Sequence, residues 1–334
     1  MTITGKHEMK RRPLLCFLVA AMTGSAVHAA AAENVADFPS KAIRLIVPYP
    51  PGGGNDSIAR IVGAQLTETW SRQIIIDNRP GANTIVGAQI ASTSAPDGYT
   101  LLVANVGTNA INAALYKKLP YEPLKSFAPV SLLATAANYL VVPVASSTTS
   151  LKDLIELAKK QPGKLTYGSS GSGSSQHLAG VMFGMAFQID LIHVPYKGAG
   201  PAMTALVSNQ LSMGFATALA AVPHIKSGRL RAIGIASPQR SAAIPEAQPI
   251  ADLSPGFNAT TWWGIVAPAG TPKSITEKIS QAIRQGLNSP DVKDKLDKQG
   301  VDPRPMTPDE FGKFMQVELD KWAKVVKASG AIAD

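Results

Sequence analysis

Four short segments hold the residues that could do chemistry in this 334-residue chain, and all four are rich in glycine and small neutral donors. They are Pro-Gly-Gly-Gly-Asn-Asp at 51–56, Asn-Val-Gly-Thr-Asn at 105–109, Gly-Ser-Ser-Gly-Ser-Gly-Ser-Ser at 168–175 and Tyr-Lys-Gly-Ala-Gly at 196–200. Glycine lets a backbone approach a ligand closely. Where such a loop opens a helix, free amides and the helix dipole favour an anion. Asp56, Asn109, Gly171, Lys197 and Gly198 become candidates on that ground. Tyr49 and Tyr196 flank the loops and can either wall a ligand or sit half-buried in a core. His177 reads as a packing or capping residue more readily than as a base. The 168–175 run also has the composition of a flexible linker. Its place between a strand and a well-striped helix favours a binding loop.

The same loops lack a catalytic set. Gly52-Gly53-Gly54 is not followed by Gly-Lys-Ser/Thr, so it is no P-loop. There is no G-x-S-x-G elbow and no close pair of carboxylates in any of the four segments. His177, His193 and His224 are spaced by 16 and 31 residues, which matches no metal motif. Donors without a base and nucleophile point to capture rather than catalysis. No cofactor and no metal are expected.

The loops need elements to hold them. An apolar strand at 42–47 leads into the first loop, and Ile58, Ile61, Val62 and Leu66 then form a helical stripe. Asn55 or Asp56 is placed to cap that helix. Gly54 is a candidate for positive φ, so a branched side chain there should disturb both backbone and ligand. Further strands are expected at 74–76, 100–104, 139–144, 165–167, 191–194, 230–236 and 262–266. Ser150 with Asp153 starts a helix over 151–160, and Thr307-Pro308-Asp309-Glu310 starts a long final helix. Pro201 suits a first helical position. Strand–helix alternation throughout predicts an α/β fold with mostly parallel sheets.

Composition bounds the rest. Hydrophobic residues are 45% and charged residues 16%, which excludes disorder from charge excess and leaves length for about two domains. Lys6, Lys10, Arg11 and Arg12 precede an apolar stretch at 14–22, and Val27-His28-Ala29 then fits a signal-peptidase site. Arg11-Arg12 runs directly into Pro13, a poor twin-arginine match, and Leu15 before Cys16 does not fit a lipoprotein signal. Cleavage near Ala29 would remove four basic groups and Glu8, taking the net charge from +9 to about +6. It would also remove Cys16, the single cysteine, so packing rather than disulfides would stabilise the exported chain. Basic residues are scattered, with no nucleic-acid motif.

The chain resembles the Bug family of extracytoplasmic solute-binding proteins of tripartite tricarboxylate transporters. The resemblance runs from Phe38-Pro39-Ser40-Lys41 and Pro48 through Asp56, to Asp77-Asn78-Arg79-Pro80-Gly81-Ala82 and Ala95-Pro96-Asp97-Gly98-Tyr99-Thr100. It continues in Leu115-Tyr116-Lys117-Lys118-Leu119-Pro120-Tyr121, Tyr167-Gly168-Ser169-Ser170-Gly171, His193-Val194-Pro195-Tyr196-Lys197-Gly198 and Pro223-His224-Ile225-Lys226-Ser227-Gly228. The resemblance implies a type II periplasmic-binding-protein fold, with one domain from 36–137 plus 258–334 and another from 138–257. It also implies a small carboxylate held between the domains, delivery to membrane transporter subunits, a periplasmic location and a monomer. Carried over, the carboxylate site comprises Gly53, Gly54 and Asn55, then Gly107 and Thr108, then Ser169, Ser170 and Ser174. One departure stands out: Ser212 and Ala216 occupy places that are usually acidic in the family, followed by Thr217. An acid missing from the cleft would favour a second acid or an apolar end on the ligand over a cationic one. A sensor for a membrane signalling partner and a secreted hydrolase are the competing functions.

Overall fold

The first strand, β1 (Ile43–Val47), is apolar on both faces except at Arg44, as a central strand must be when helices cover both sides. The computed structural model describes residues 1–5 and 35–329. The expected export signal and Cys16 lie outside the described residues. After β1 come α1 (Gly54–Trp70), β2 (Ile74–Asn78), α2 (Ile85–Ser92) and β3 (Thr100–Asn105). A π-helical turn at Gly107–Ile111 runs into α3 (Asn112–Leu115), and β4 (Phe127–Ala136) follows. One residue later the chain enters β5 (Asn138–Pro143). The second series is α4 (Leu151–Lys160), β6 (Thr166–Ser169), α5 (Ser175–Phe187), β7 (Ile192–Pro195), α6 (Ala199–Val207), β8 (Met213–Thr217), α7 (Ala218–Lys226) and β9 (Leu230–Ile235). The chain returns through β10 (Thr261–Pro268), α8 (Lys273–Leu287), α9 (Pro290–Asp297), β11 (Val301–Pro303) and α10 (Pro308–Ser329).

Two sheets result, ordered β11-β4-β10-β3-β1-β2 and β7-β6-β8-β5-β9. The α/β fold class holds, and the sheets are mixed in an informative way. β3 and β4 are both antiparallel to β10, so β4 runs with β1, β2 and β3. β8 and β9 are likewise both antiparallel to β5, and so run with β6 and β7. Within each sheet's five-strand core, the reversed strand is the one that enters from the other half: β5 after β4, and β10 after β9. The crossings are bonded to each other. Asn138 donates from Nδ2 to Ala259 O (2.7 Å), and Ala236 N donates to Asn138 O (2.8 Å).

β4 and β11 were not foreseen from sequence. Pro129 and Ser131 interrupt the alternation of β4, and β11 is three residues long, so neither presents a clean pattern. The helix starts came closer. Ser150 accepts from Asp153 N (3.1 Å) and Thr149 N donates to Asp153 (3.2 Å), while Thr307 and Glu310 bond reciprocally. At α1 the cap is Gly53, two positions before Asn55 and three before Asp56, the residues expected to cap it. Pro201 is the third residue of α6 rather than its first.

Alternation along β10 sends its two tryptophans to opposite faces. Trp262 packs edge-on against Phe311 and Phe314 of α10. Its indole and that of Trp322 both donate to buried Glu318 (3.0 and 2.9 Å), which also pairs with Lys321 (2.7 Å). This network clasps the final helix to the first sheet. Trp263 faces the other way, toward the start of α1.

Candidate ligand-binding cleft

The loop before α1 is held from behind. Asp56 is 4% exposed, and its carboxylate accepts from Gly52 N (3.0 Å), Arg60 Nε (2.9 Å) and Asn78 Nδ2 (3.0 Å). Asn78 Nδ2 also donates to Tyr49 O (3.0 Å), so the pair clamps both ends of the 49–52 turn. Those bonds hold the Asp56 carboxyl below its ordinary pKa despite burial. Asp56 therefore positions the loop and does not line the cavity, contrary to its place among the ligand candidates. Gly53 supplies no side-chain cap, which leaves the first amides of α1 open. The positive φ in this loop belongs to Gly52 (+86°), not Gly54. Gly54 is constrained for a different reason: a Cβ there would stand 3.3 Å from both Thr217 Oγ1 and Trp263 Cζ2, a tight fit that needs those side chains to give way slightly.

Gly53, Gly54 and Asn55 line an inner chamber of about 70 Å³ together with Asn105, Thr261 and Trp263. The second sheet's elements close it with Ser170, Ser175, Gln176, Lys197, Gly198 and Thr217. Four helices begin on this chamber, α1, α5, α6 and α7; Ser174 caps α5, whereas the N-caps of the other three, Gly53, Gly198 and Thr217, make no side-chain cap bond. Thr217 is 6% exposed and its Oγ1 has no hydrogen-bond partner. Ser170 Oγ donates to Gln176 Oε1 (2.8 Å), so Gln176 keeps its NH2 as a donor at the wall. The chamber offers neutral donors and helix N-termini, with exposed Lys197 as its one charged lining residue.

An outer chamber of about 650 Å³ adjoins it and shares Tyr49, Pro50, Ser170, Lys197 and Gly198. Gly171 and Tyr196 line this outer space only. Burial pushes the Tyr49 phenol well above its ordinary pKa, which keeps it neutral.

The other expected site residues lie elsewhere. Asn105 Oδ1 accepts from Gly107 N (2.8 Å) and Thr108 N (3.2 Å), so those amides are already occupied. Gly107, Thr108 and Asn109 are buried in the π-helical turn and line neither chamber. Ser169, Ser174 and His177 stand behind the 170–173 loop. Ser174 caps α5 by accepting from His177 N (3.2 Å), and Gly173 N donates to His177 Nδ1 (3.0 Å). His193 stacks on His177 with centroids 4.0 Å apart, and its Nε2 is 2.7 Å from Ser169 Oγ. Burial lowers His177 to a pKa of about 4; burial, then the neighbouring His177, lowers His193 to about 3. The Ser169–His193 contact has the atoms of a nucleophile and base. Ser169 is 1% exposed, however, and its oxygen is bonded to both the amide and carbonyl of Gly171. The pair props the loop. Ser212 is tied to Thr166, and Ala216 is buried in β8 opposite Tyr139; neither lines a chamber. The family's acidic places are thus outside the cavity walls here, and Thr217 is the residue of that segment that reaches in.

Sequence reasoning missed Asn105, Gln176, Thr261 and Trp263. Asn105 lay inside a recognised loop, and Gln176 sits in the first turn of α5, where a donor could have been sought. Thr261 and Trp263 come from the returning strand, and nothing local marks them.

Two α/β halves joined by crossing strands, with a polar chamber between them, define a solute-binding protein of the periplasmic binding type. The chain belongs to the tripartite tricarboxylate transporter family of receptors, whose sequence profile matches residues 58–331. A Pseudomonas protein, named from the tcbD-tcbE intergenic region, is 34% identical over 95% of this chain and 94% of its own length. BugT of Bordetella pertussis is 33% identical over 90% of this chain and 93% of its own. Among solved structures, a periplasmic transporter shares 41% identity with a TM-score of 0.86, covering 89% of this chain and all of that one. A protein of R. palustris solved with adipate shares 30% identity (TM-score 0.86; 88% and 99% covered). MatC of Rhodopseudomonas palustris, with bound malate, shares 31% (TM-score 0.81; 86% and 100%). Among the described residues no helix is long and apolar enough to cross a membrane, and no three His, Cys, Asp or Glu converge as a metal site.

Proposed function

We propose that this chain is an exported receptor that captures a small carboxylate in the inner chamber and presents it to membrane subunits of a tripartite transporter. The observation that carries the reading is Thr217. A buried hydroxyl without a partner is costly unless a ligand or water satisfies it, and this one belongs to one of three uncapped helix starts that line the same chamber. The adipate and malate bound by two relatives are anions of the same class. In this reading Gly53, Gly54, Asn55, Ser170, Gly198 and Thr217 hold the carboxylate, and Tyr49 and Lys197 stand at its exit. Residues 36–137 with 258–334 form one moving body and 138–257 the other, hinged at the bonded crossings around Asn138. The receptor acts as a monomer in the periplasm after loss of residues 1–29, and it binds its cargo without transforming it.

The test is a thermal-shift and calorimetric screen of mono-, di- and tricarboxylates. A ligand at 100 times its Kd adds roughly 2.7 kcal/mol to the folded state. That corresponds to a rise on the order of 5 to 10 °C. A response restricted to sugars or amines would refute carboxylate capture. Intact mass of the periplasmic fraction checks export, and a chain retaining Met1 there contradicts it.

A further inference from the structure

We propose that Gly173, seated against Asn83 and Leu115, is the catch that locks the two halves around the cargo and sets how fast it leaves. The inference rests on the two-body receptor reading above and deepens it. It makes Gly173 a positioning residue, one that holds the cleft shut without touching what the cleft holds.

The receiving face belongs to the first half and is built under strain. Ala82, Asn83 and Thr84 follow one another at φ values of 43°, 49° and 78°. One such residue other than glycine is uncommon, and a β-branched one is an outlier. Three in succession persist only where the surroundings force them. Asn112 does so here. It is fully buried and exchanges two hydrogen bonds with Asn83: Asn83 Nδ2 donates to its Oδ1 and its own Nδ2 donates to Asn83 O, both at 2.9 Å. The same Nδ2 reaches Thr84 Oγ1 (3.2 Å). Leu115 stands three positions on in α3 and is buried. Asn83 and Thr84 also line the outer chamber, so one turn borders both the cargo space and the contact.

The seated face belongs to the second half. Gly173 has φ 76°, and its N–H is fixed by His177 Nδ1 (3.0 Å). A Cβ on Gly173 would overlap Leu115 Cδ2 and stand 2.7 Å from Asn83 Nδ2. Both are side-chain ends, but neither is free to swing aside, since Leu115 is packed in the core and the Asn83 amide is tied to Asn112. Among the described residues no hydrogen bond joins 170–174 to Asn83 or Leu115, so the faces can part without leaving a donor unpaired. Gly173 and Leu115 line neither chamber.

Small-angle X-ray scattering and stopped-flow release of adipate and malate, both on the full chain, test this. Asparagine tolerates the left-handed region, so Gly173→Asn adds a side chain at the contact with little backbone penalty. It should enlarge the radius of gyration. It should also release either acid at least about tenfold faster with association within about threefold of the parent, because variants of one interface differ mainly in dissociation. Adding Leu115→Ala makes room opposite and should recover at least about threefold of the lost affinity, a coupling that mere damage to the loop would not produce. Should Gly173→Asn fail to fold, Asn83→Gly keeps the turn's backbone and removes the amide that meets Gly173. That variant should enlarge the radius and quicken release at least about threefold. The proposal is overturned if the variants scatter like the parent, whatever their release rates, or if Leu115→Ala restores nothing. If neither acid binds the parent, the radius still decides. A larger one in Gly173→Asn keeps the catch and places the failure on the carboxylate reading, whereas equal radii overturn the catch itself.

Discussion

The starts of α1 and α5 have similar compositions and opposite states. Both follow a strand, both are built from glycine and small polar residues, and both face the cleft. At α5 the loop is satisfied from within: Ser174 caps the helix, His177 accepts from Gly173, and Ser169 ties Gly171. At α1 the cap is Gly53, which offers no side chain, and Asp56 holds the loop from its far side. A helix start whose donors are used internally is scaffold. One whose donors are left open, beside an unpartnered Thr217, is available to an anion.

Acid should separate the two loops most strongly. His177 and His193 are neutral in the fold with lowered pKa values, so the unfolded chain takes up protons first. Stability is complete above the ordinary histidine value of 6.5 and falls as pH drops toward about 4 and then 3. Denaturant melts at pH 7 and pH 4.5 should differ by several kcal/mol, on the order of 5 for two groups lowered that far, less what their partial exposure screens. An imidazolium can no longer accept from Gly173, whereas the amide oxygen of His177→Asn can. His177→Asn should therefore reduce the slope by roughly half, leaving the share of His193, which burial still lowers, and a smaller one from His224. An unchanged slope would mean the stacked pair is not what acid attacks.

Gly54→Val tests the open start. Its Cβ alone would press on Thr217 and Trp263, and its methyl groups would enter the chamber. Carboxylate affinity should fall at least tenfold, about 1.4 kcal/mol or more. Parent-like affinity in a folded Gly54→Val protein would remove α1 from the site.

Thr217→Val keeps the shape and deletes the free hydroxyl. Because that oxygen has no protein partner to lose, the melting temperature without ligand should hold or rise. Affinity should drop by about 1.4 kcal/mol. A stability loss with unchanged affinity would reverse the assignment.

The smallest effect is expected from Ser174→Ala, which removes a satisfied cap. It should cost about 1 kcal/mol of stability and leave affinity within twofold. A large loss of affinity there would show that the two helix starts are not as different as their bonds imply.

Local chemistry was legible in the sequence. The capping residues at Ser150 and Thr307, the stripe of α1 and the glycine loops all depend on neighbours within a few positions, and they fold as their spacing dictates. Occupancy of the loop amides was not legible throughout. Asn105 fills its own turn, and this could have been suspected from its position just ahead of Gly107 and Thr108. The burial of Asp56 could not, because it depends on Asn78 from the end of β2.

What the sequence by itself determined, then, is the kind of loop this chain carries: small, polar, poor in charge and set at strand ends. Which of those loops face a common space was decided by the tertiary structure alone. Gly54, Thr217 and Trp263 come together, so that a Cβ on Gly54 would stand 3.3 Å from both side chains, because β5 and β10 each cross into the opposite half and run against its strands. Sequence periodicity reports only a residue's near neighbours. The chamber is made by contacts between residues more than 150 positions apart, and their register is set when the two sheets close around the bonded crossings at Asn138.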